Sequence, residues 1–158
     1  MTRQLVILGL CVTIYVVLSL AVQPLSFGMV QFRLGEMLMV LPFINKKYSI
    51  SLIIGCLIVN LYSPLGIVDI LFGTTSTALM CLFISRVKNN WTIPIIAGVL
   101  TGTMIGAELY FVLEIPMSLT IIMLSVGAGE VVTVSLGVII FDIIKKKNDY
   151  FYKLIENI

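Results

Sequence analysis

Residues 117–144 read MSLTIIMLSVGAGEVVTVSLGVIIFDII, a nearly unbroken apolar run with only two ionisable side chains, Glu130 and Asp142. A helix needs about 20 mostly apolar residues to cross the hydrocarbon core of a bilayer. This run is longer than that, so it can cross with some tilt. The segment therefore predicts a transmembrane helix that carries one carboxyl group near its middle.

The composition extends this prediction to the whole chain. Of 158 residues, 59% are hydrophobic and 11% are charged, and the mean hydropathy is +1.14. Ten basic and eight acidic side chains are too few to cover a soluble domain of this size. We therefore predict an integral, all-α membrane protein whose apolar surface is solvated by the lipid bilayer.

Charged residues and Pro/Gly clusters divide the chain into six apolar segments. These are residues 5–22, 35–44, 48–61, 67–84, 91–113 and 117–144. The second and third are short for a span, so we expect them to begin near Val30 and to reach Tyr62, respectively. Six spans leave no room for a soluble domain. The sequence thus predicts a single transmembrane domain over residues 1–158, folded as a six-transmembrane-helix bundle.

The basic residues set the predicted orientation, because they fall at alternate ends of consecutive segments. They are Arg3, Lys46, Lys47, Arg86, Lys88, Lys145, Lys146, Lys147 and Lys153. Lysine and arginine are enriched in cytoplasmic loops, so both termini are predicted to be cytoplasmic. The outer connections are then residues 23–33, 63–67 and 114–116.

The charged residues that remain after those of the predicted cytoplasmic side are set aside gather in the predicted outer half of the bundle. They are Arg33, Glu36, Asp69, Glu108, Glu114 and Glu130. A charge within the hydrocarbon costs several kcal/mol and usually faces a cavity or a partner, so these residues are candidates for a binding site. No run of polar residues continues through the inner half. The pattern predicts a cavity that opens outward and is closed inward, and no ion pathway.

Several candidates also have a structural interpretation. Arg33 and Glu36 are three residues apart and could form a local ion pair at the interface. Asp69 could cap the fourth helix, and Glu114 is most simply a solvated loop charge. For Glu130 the structural alternative is weaker, because the surrounding glycines let a backbone or a ligand approach closely.

Neutral residues complete the candidate site. Asn60 lies near the outer end of the third segment. Tyr110 belongs to a set of aromatic residues that could stack on a flat ring, although most aromatics at membrane interfaces form a belt. That set is Tyr15, Phe43, Tyr62, Trp91 and Tyr110. The three cysteines, Cys11, Cys56 and Cys81, are interpreted as small buried hydrophobic residues.

The first helix carries Gly9 and Thr13 at a four-residue spacing, a pattern that permits close helix packing. We interpret a single pair of this kind as packing within the bundle, with docking onto a partner subunit as the alternative. The outer loop 23–33 contains Pro24 and Gly28 beside the proposed site, so we expect it to act as a lid.

The absence of certain residues excludes several functions. The chain has no histidine, so imidazole metal sites and His-dependent catalytic triads are excluded, and we predict no metal and no cofactor. There is no phosphate-binding Gly-x-x-x-x-Gly-Lys-Ser/Thr motif, so any ATP hydrolysis must come from another subunit. With a net charge of +2 and no basic run interleaved with aromatics, no nucleic-acid partner is expected.

Two stretches give a resemblance to a known family. Residues 30–43, VQFRLGEMLMVLPF, and residues 55–73, GCLIVNLYSPLGIVDILFG, resemble the QueT family of queuosine-precursor transporters, and Gly129-Glu130 with Leu136-Gly137 fits as well. The resemblance covers nearly the whole chain. Where related proteins often have an alanine-rich pattern on the first helix, this chain has Gly9 and Thr13.

The resemblance implies the substrate-binding S component of an energy-coupling factor (ECF) transporter, a form of ABC transporter in the plasma membrane of prokaryotes. The expected ligand is a 7-deazaguanine, either queuine or a precursor base. The expected partners are a transmembrane coupling subunit, EcfT, and two ATP-binding subunits, and the S component is thought to topple in the membrane to release its ligand inside. In the related proteins the alanine-rich pattern serves for docking to the coupling subunit, and Gly9 and Thr13 are our candidates for that contact in this chain.

The chemistry of a guanine-like edge agrees with the candidate residues. The ring N–H and the exocyclic amine can both donate to one carboxylate, and an arginine or amide can donate to the carbonyl. Our hypothesis is that Glu130 or Glu36 accepts from the guanine edge and that Arg33 or Asn60 faces the carbonyl. Glu108 or Asp69 would meet an aminomethyl cation where the ligand has one.

Three alternatives remain open from the sequence. The first is a small structural or accessory membrane protein whose outer charges form ion pairs. The second is a membrane enzyme, for which the parts of nucleophilic or metal-dependent hydrolysis are missing. The third is an S component for another vitamin-like heterocycle.

Overall fold

The computed structural model describes residues 2–22 and 32–158, which form helices joined by short connections without any strand. In chain order the helices are α1 (Thr2–Ala21), α2 (Leu34–Ile44), α3 (Tyr48–Asn60), α4 (Ile67–Ile84), α5 (Asn90–Phe111), α6 (Leu119–Lys147) and α7 (Asp149–Glu156). The predicted outer loop 23–33, including the proposed lid residues Pro24 and Gly28, lies almost entirely outside the described residues. The expected helix start near Val30 lies outside them as well.

Four of these helices, α1, α4, α5 and α6, are long and apolar enough to cross a membrane. Helices α2 and α3 are apolar but shorter. The predicted segment 67–84 coincides with α4, whereas α3 ends at Asn60 and does not reach Tyr62. The all-helical class is therefore confirmed for the described residues, together with four candidate spans.

Helix α2 begins as a 3₁₀-helix over Leu34–Val40 and continues as an α-helix over Leu41–Ile44. The 3₁₀ form rises about 2.0 Å per residue against 1.5 Å in an α-helix, so α2 is longer along its axis than an α-helix with the same number of residues. Pro42 is in the first turn of the α-helical part, the position in an α-helix where proline is best tolerated. Arg33 precedes the helix in extended backbone.

Glycines bring α5 and α6 into close contact. A Cβ atom on Gly102 would lie 2.7 Å from the Met123 carbonyl oxygen, and one on Gly127 would lie 2.7 Å from the Gly98 carbonyl oxygen. Since neither backbone can give way cheaply, these positions require glycine. The close approach places Glu130, one turn beyond Gly127, inside the bundle, where 1% of its surface is exposed.

The end of the bundle that carries the lysine residues, which we call the basic end, is filled by an apolar core. Its fully buried side chains include Met39, Leu52, Ile84, Ile93, Ala97, Val134 and Val138. Among the described residues, no acidic or basic side chain belongs to this core. This core separates the basic end from the polar cluster in the other half of the molecule.

Helix α7, which the sequence did not predict, packs against the connection between α2 and α3. Lys47 Nζ donates to the Ile158 carbonyl at 2.7 Å, Asn45 Nδ2 donates to the Glu156 carbonyl at 2.9 Å, and Tyr48 donates to the Ile155 carbonyl at 3.1 Å. These bonds join the C-terminal segment to the basic end.

The packing at Gly102 makes a stability prediction. Gly102→Ala should lower the free energy of unfolding by about 1–3 kcal/mol, because the new methyl group overpacks the α5–α6 interface. Gly9→Ala is the matched control, since a Cβ at Gly9 has nothing within 4 Å. Thermal unfolding of both variants in detergent measures the difference, and equal midpoints would show that α5 and α6 are not in close contact.

Candidate ligand-binding site

Side chains from α2, α4, α5 and α6 surround a small cavity in the half of the bundle away from the basic end. Its lining residues are Arg33, Glu36, Gly73, Ser76, Thr77, Met80, Thr101, Ile105 and Glu130. The volume open to the centre of a water molecule is about 10 Å³, which is room for about one water. Three of the predicted site residues, Arg33, Glu36 and Glu130, are thus brought together by the fold.

Arg33 and Glu36 form the local ion pair that the structural interpretation predicted, and the pair is buried within the bundle. Arg33 Nη1 lies 3.9 Å from Glu36 Oε1, and both side chains are 4% exposed. The hydroxyl of Tyr15, from α1, donates a hydrogen bond to the same Glu36 oxygen. Tyr15 is fully buried, so it belongs to the site and not to an interfacial belt.

Cys56 lies at the centre of this polar network. Its sulfur accepts hydrogen bonds from Arg33 Nη1 at 3.5 Å, Asn60 Nδ2 at 3.4 Å and Thr77 Oγ1 at 3.1 Å. The prediction that Cys56 is buried is confirmed, since none of its surface is exposed. Its polar role was missed, because a lone cysteine in an apolar run gives no sequence signal of the three donors that the fold assembles around it.

Asn60 links α3 to α4. Its Nδ2 donates to the Asp69 carbonyl at 3.2 Å, and a Cβ atom on Gly73 would lie 2.5 Å from the same nitrogen. Gly73 is therefore required for the fully buried Asn60 side chain to fit against α4. The predicted site residue Asn60 is part of the network, one contact away from the cavity.

Asp69 does not cap α4, so that structural alternative is wrong. The residue at the start of the helix is Gly66, with φ of +66°, and no side chain caps it. Asp69 is instead fully buried in the first turn, and neither of its carboxylate oxygens has a hydrogen-bond partner in the described chain. It lies one turn from Gly73 of the cavity wall.

Other carboxylate oxygens, like those of Asp69, have no hydrogen-bond partner in the part of the chain that the structure describes. Both oxygens of Glu108, Oε1 of Glu130 and Oε2 of Glu36 are buried without a hydrogen-bond partner among the described residues. Buried polar atoms without partners are rare and costly in folded proteins. Glu36 and Glu130 line the cavity, and Asp69 and Glu108 lie about one helical turn from residues of its wall, so the unpartnered acceptors lie in one part of the bundle. Hydrogen-bond donors of a ligand could satisfy them.

Electrostatic interactions join these groups into one cluster. Glu130 is repelled by Glu36 and attracted by Arg33, and Glu108 is repelled by Asp69 and attracted by Arg33. Arg33 is therefore the shared counter-charge of the cluster. In residues 2–22 and 32–158, no group of His, Cys, Asp or Glu is arranged to hold a metal ion.

The structure places the remaining predicted residues outside this cluster. Tyr110 is 37% exposed and borders a shallow surface depression with the exposed Glu114. Gly9 and Thr13 are on the exposed face of α1, where Thr13 Oγ1 donates to the Gly9 carbonyl at 3.0 Å. The interpretation that Gly9 and Thr13 pack within the bundle is therefore wrong for the described residues.

The tyrosine hydroxyl in the network makes a second stability prediction. Tyr15→Phe should lower the free energy of unfolding by about 1.5–3 kcal/mol, because it leaves a buried carboxylate oxygen of Glu36 without its donor. Tyr48→Phe, which removes a bond to the Ile155 carbonyl at the basic end, should cost only about 1 kcal/mol. Unfolding in detergent compares the two, and a larger loss for Tyr48→Phe would contradict the assignment.

Comparisons with known proteins agree with this description. The family model of the QueT transporter matches residues 5–146. The chain is 32% identical to a protein of Lactococcus lactis subsp. cremoris (strain MG1363) named queuosine precursor transporter QueT, over 94% of this chain and 95% of that protein. No solved structure matches the chain. This chain therefore belongs to the QueT transporter family.

Proposed function

We propose that the chain is the substrate-binding S component of an ECF transporter that takes up a queuosine precursor. The ligand would be a 7-deazaguanine such as queuine or 7-aminomethyl-7-deazaguanine. Family membership and the name of the Lactococcus relative support transport of such a precursor. The observation that carries the proposal is the set of unpartnered carboxylate oxygens of Glu36 and Glu130 beside Arg33 at one buried cavity.

Recognition follows from the chemistry of these groups. The ring N–H and the exocyclic amine of the base donate to Glu130 or Glu36, each of which has one carboxylate oxygen that accepts no hydrogen bond in the described chain. Arg33 or Asn60 donates to the carbonyl of the base. Met80 and Ile105 supply apolar surface for the ring faces.

The cavity must widen to admit this ligand, because it has room for about one water. Arg33 and Glu36, at the start of α2, line the cavity, and most of the outer loop 23–33 comes directly before them in the sequence. In this proposal the loop would act as the lid over the site. Binding is thus coupled to a movement of the α2 side of the site relative to α4–α6.

The proposed topology has six spans with both termini in the cytoplasm of a prokaryotic cell, the protein lying in the plasma membrane. Helices α1, α4, α5 and α6 are long enough to span. In this proposal the shorter apolar helices α2 and α3 supply the other two spans, which a locally thinner bilayer would accommodate. Every lysine cluster then faces inward, in agreement with the positive-inside rule.

Energy for uptake would come from other subunits, since the sequence has no phosphate-binding loop. The coupling subunit EcfT would contact the exposed face of α1 at Gly9 and Thr13, and two ATP-binding subunits would drive the toppling that delivers the ligand. In this proposal the chain is not an enzyme, in keeping with a relative that is named a transporter.

Binding to the detergent-purified chain tests the proposal. Calorimetry should show tight binding of 7-deazaguanines and none of thiamine or riboflavin. Glu130→Gln, Glu36→Gln and Arg33→Ala should each weaken binding by about 10- to 100-fold, because each removes a charged partner of the base. Glu114→Gln, at an exposed loop position, is the control and should bind normally.

The outcomes separate the competing functions. Unchanged affinity in all three site variants would refute the assignment of the site. Selective binding of thiamine or riboflavin would keep the S-component architecture and change the substrate. No binding by a chain that is shown to be folded would favour a structural or accessory role.

The topology is tested by cysteine labelling in intact cells. In the wild-type background, whose three cysteines Cys11, Cys56 and Cys81 are all buried, the single variants Lys88→Cys and Glu114→Cys should react oppositely with a membrane-impermeant maleimide. The cysteine at position 114 should be labelled from outside and the one at 88 only after the membrane is opened, because the two positions flank the span α5. Labelling of both from the same side would show that α5 does not cross.

A further inference from the structure

Among the buried charged side chains of this protein, acidic groups outnumber basic groups. The described residues bury one cationic side chain, Arg33, and four carboxyl groups, Glu36, Asp69, Glu108 and Glu130. The residues outside the description, Met1 and 23–31, contain no charged side chain. The excess of carboxyl groups is therefore a property of the whole chain.

No other cation of the protein can neutralise this excess. The remaining basic side chains are exposed, and those of α2–α7 lie in and beside the connections at the basic end, across the apolar core from the site. In an apolar medium a buried carboxyl group without a counter-charge either takes up a proton or needs a bound cation, because the isolated carboxylate is strongly unfavourable. A bound molecule that carries positive charge would remove part of this penalty.

Asp69 and Glu108 are the part of the cluster best placed to bind such a charge. Asp69 lies one helical turn before Gly73, and Glu108 lies one turn after Ile105. Both are therefore on the helix faces that form the cavity wall, one turn further from the basic end. Both are fully buried, and all four of their carboxylate oxygens are without a hydrogen-bond partner in the described chain. The two groups are close enough to repel each other.

We propose that the site requires a cationic ligand: it selects 7-deazaguanines whose 7-substituent carries an ammonium group, and Asp69 and Glu108 bind that group. The proposal rests on the function proposed above and adds a rule of selectivity. A guanine edge donates hydrogen bonds but brings no charge, so it leaves the excess in place. An ammonium group has donors for several carboxylate oxygens and neutralises one charge.

The rule excludes close analogues of similar shape. A 7-cyano group ends in a hydrogen-bond acceptor, which would face the acceptor oxygens of Asp69 and Glu108. A 7-hydroxymethyl group has nearly the size of an aminomethyl group but only one donor and no charge. We expect both neutral bases to bind roughly 10- to 100-fold more weakly than the aminomethyl base.

Calorimetric titration of the purified wild-type chain with the aminomethyl, hydroxymethyl and cyano bases tests the proposal. The same titrations on Asp69→Asn and Glu108→Gln test the assigned residues. In these variants the ratio of the affinity for the aminomethyl base to that for the neutral bases should fall toward one, because the neutral bases keep their affinity. Asp142→Asn is the matched control, because that carboxylate accepts hydrogen bonds from Asn90 at the basic end, away from the site. It should keep the full preference.

Each result decides a different statement. Equal affinity of the wild-type chain for the three bases would overturn the charge requirement and leave the proposed function standing. An undiminished preference in both variants would overturn the roles of Asp69 and Glu108. Failure of all three bases to bind folded wild-type protein would instead reject the proposed function. If a variant does not fold, the wild-type comparison of charged and neutral bases still decides the rule.

Discussion

The burial of Arg33 is the constraint on which the other features of this protein depend. A guanidinium is costly to place inside an apolar bundle unless its surroundings supply acceptors. Here Glu36 on the next turn and the sulfur of Cys56 on α3 provide them. Tyr15 and Thr77 then complete the environment of Glu36 and Cys56, so one charge organises contacts from α1, α2, α3 and α4.

The two halves of the bundle have different physical roles. At the basic end, an apolar core and the hydrogen bonds from α7 hold the helices together. In the other half, polar side chains are buried with fewer partners than they can bind. The close contact of α5 and α6 at Gly102 and Gly127 supplies a rigid wall for that half. A rigid apolar core thus supports a site whose polar groups are left available for a ligand.

The small volume of the cavity is consistent with this division. A preformed opening wide enough for a purine-like base would expose several carboxylates and Arg33 to the bilayer or to water. With the walls close together, Arg33, Glu36 and Tyr15 satisfy one another in part. In the proposed function, the ligand replaces these partial contacts with its own donors and supplies the groups that the protein lacks.

The sequence by itself determined the all-helical class, the bounds of α4 and a set of six charged candidates, of which the structure buries all but Glu114. Long apolar runs and isolated charges are local features of the sequence. Their free energies of transfer into lipid are large enough that they predict membrane helices and buried sites without knowledge of the fold. Tertiary structure alone decided that Cys56 accepts three hydrogen bonds, that Tyr15 joins the site while Tyr110 stays outside, and that α7 packs on the basic end. These outcomes depend on which helix faces meet, and contacts between distant helices leave no periodic signal in a single sequence.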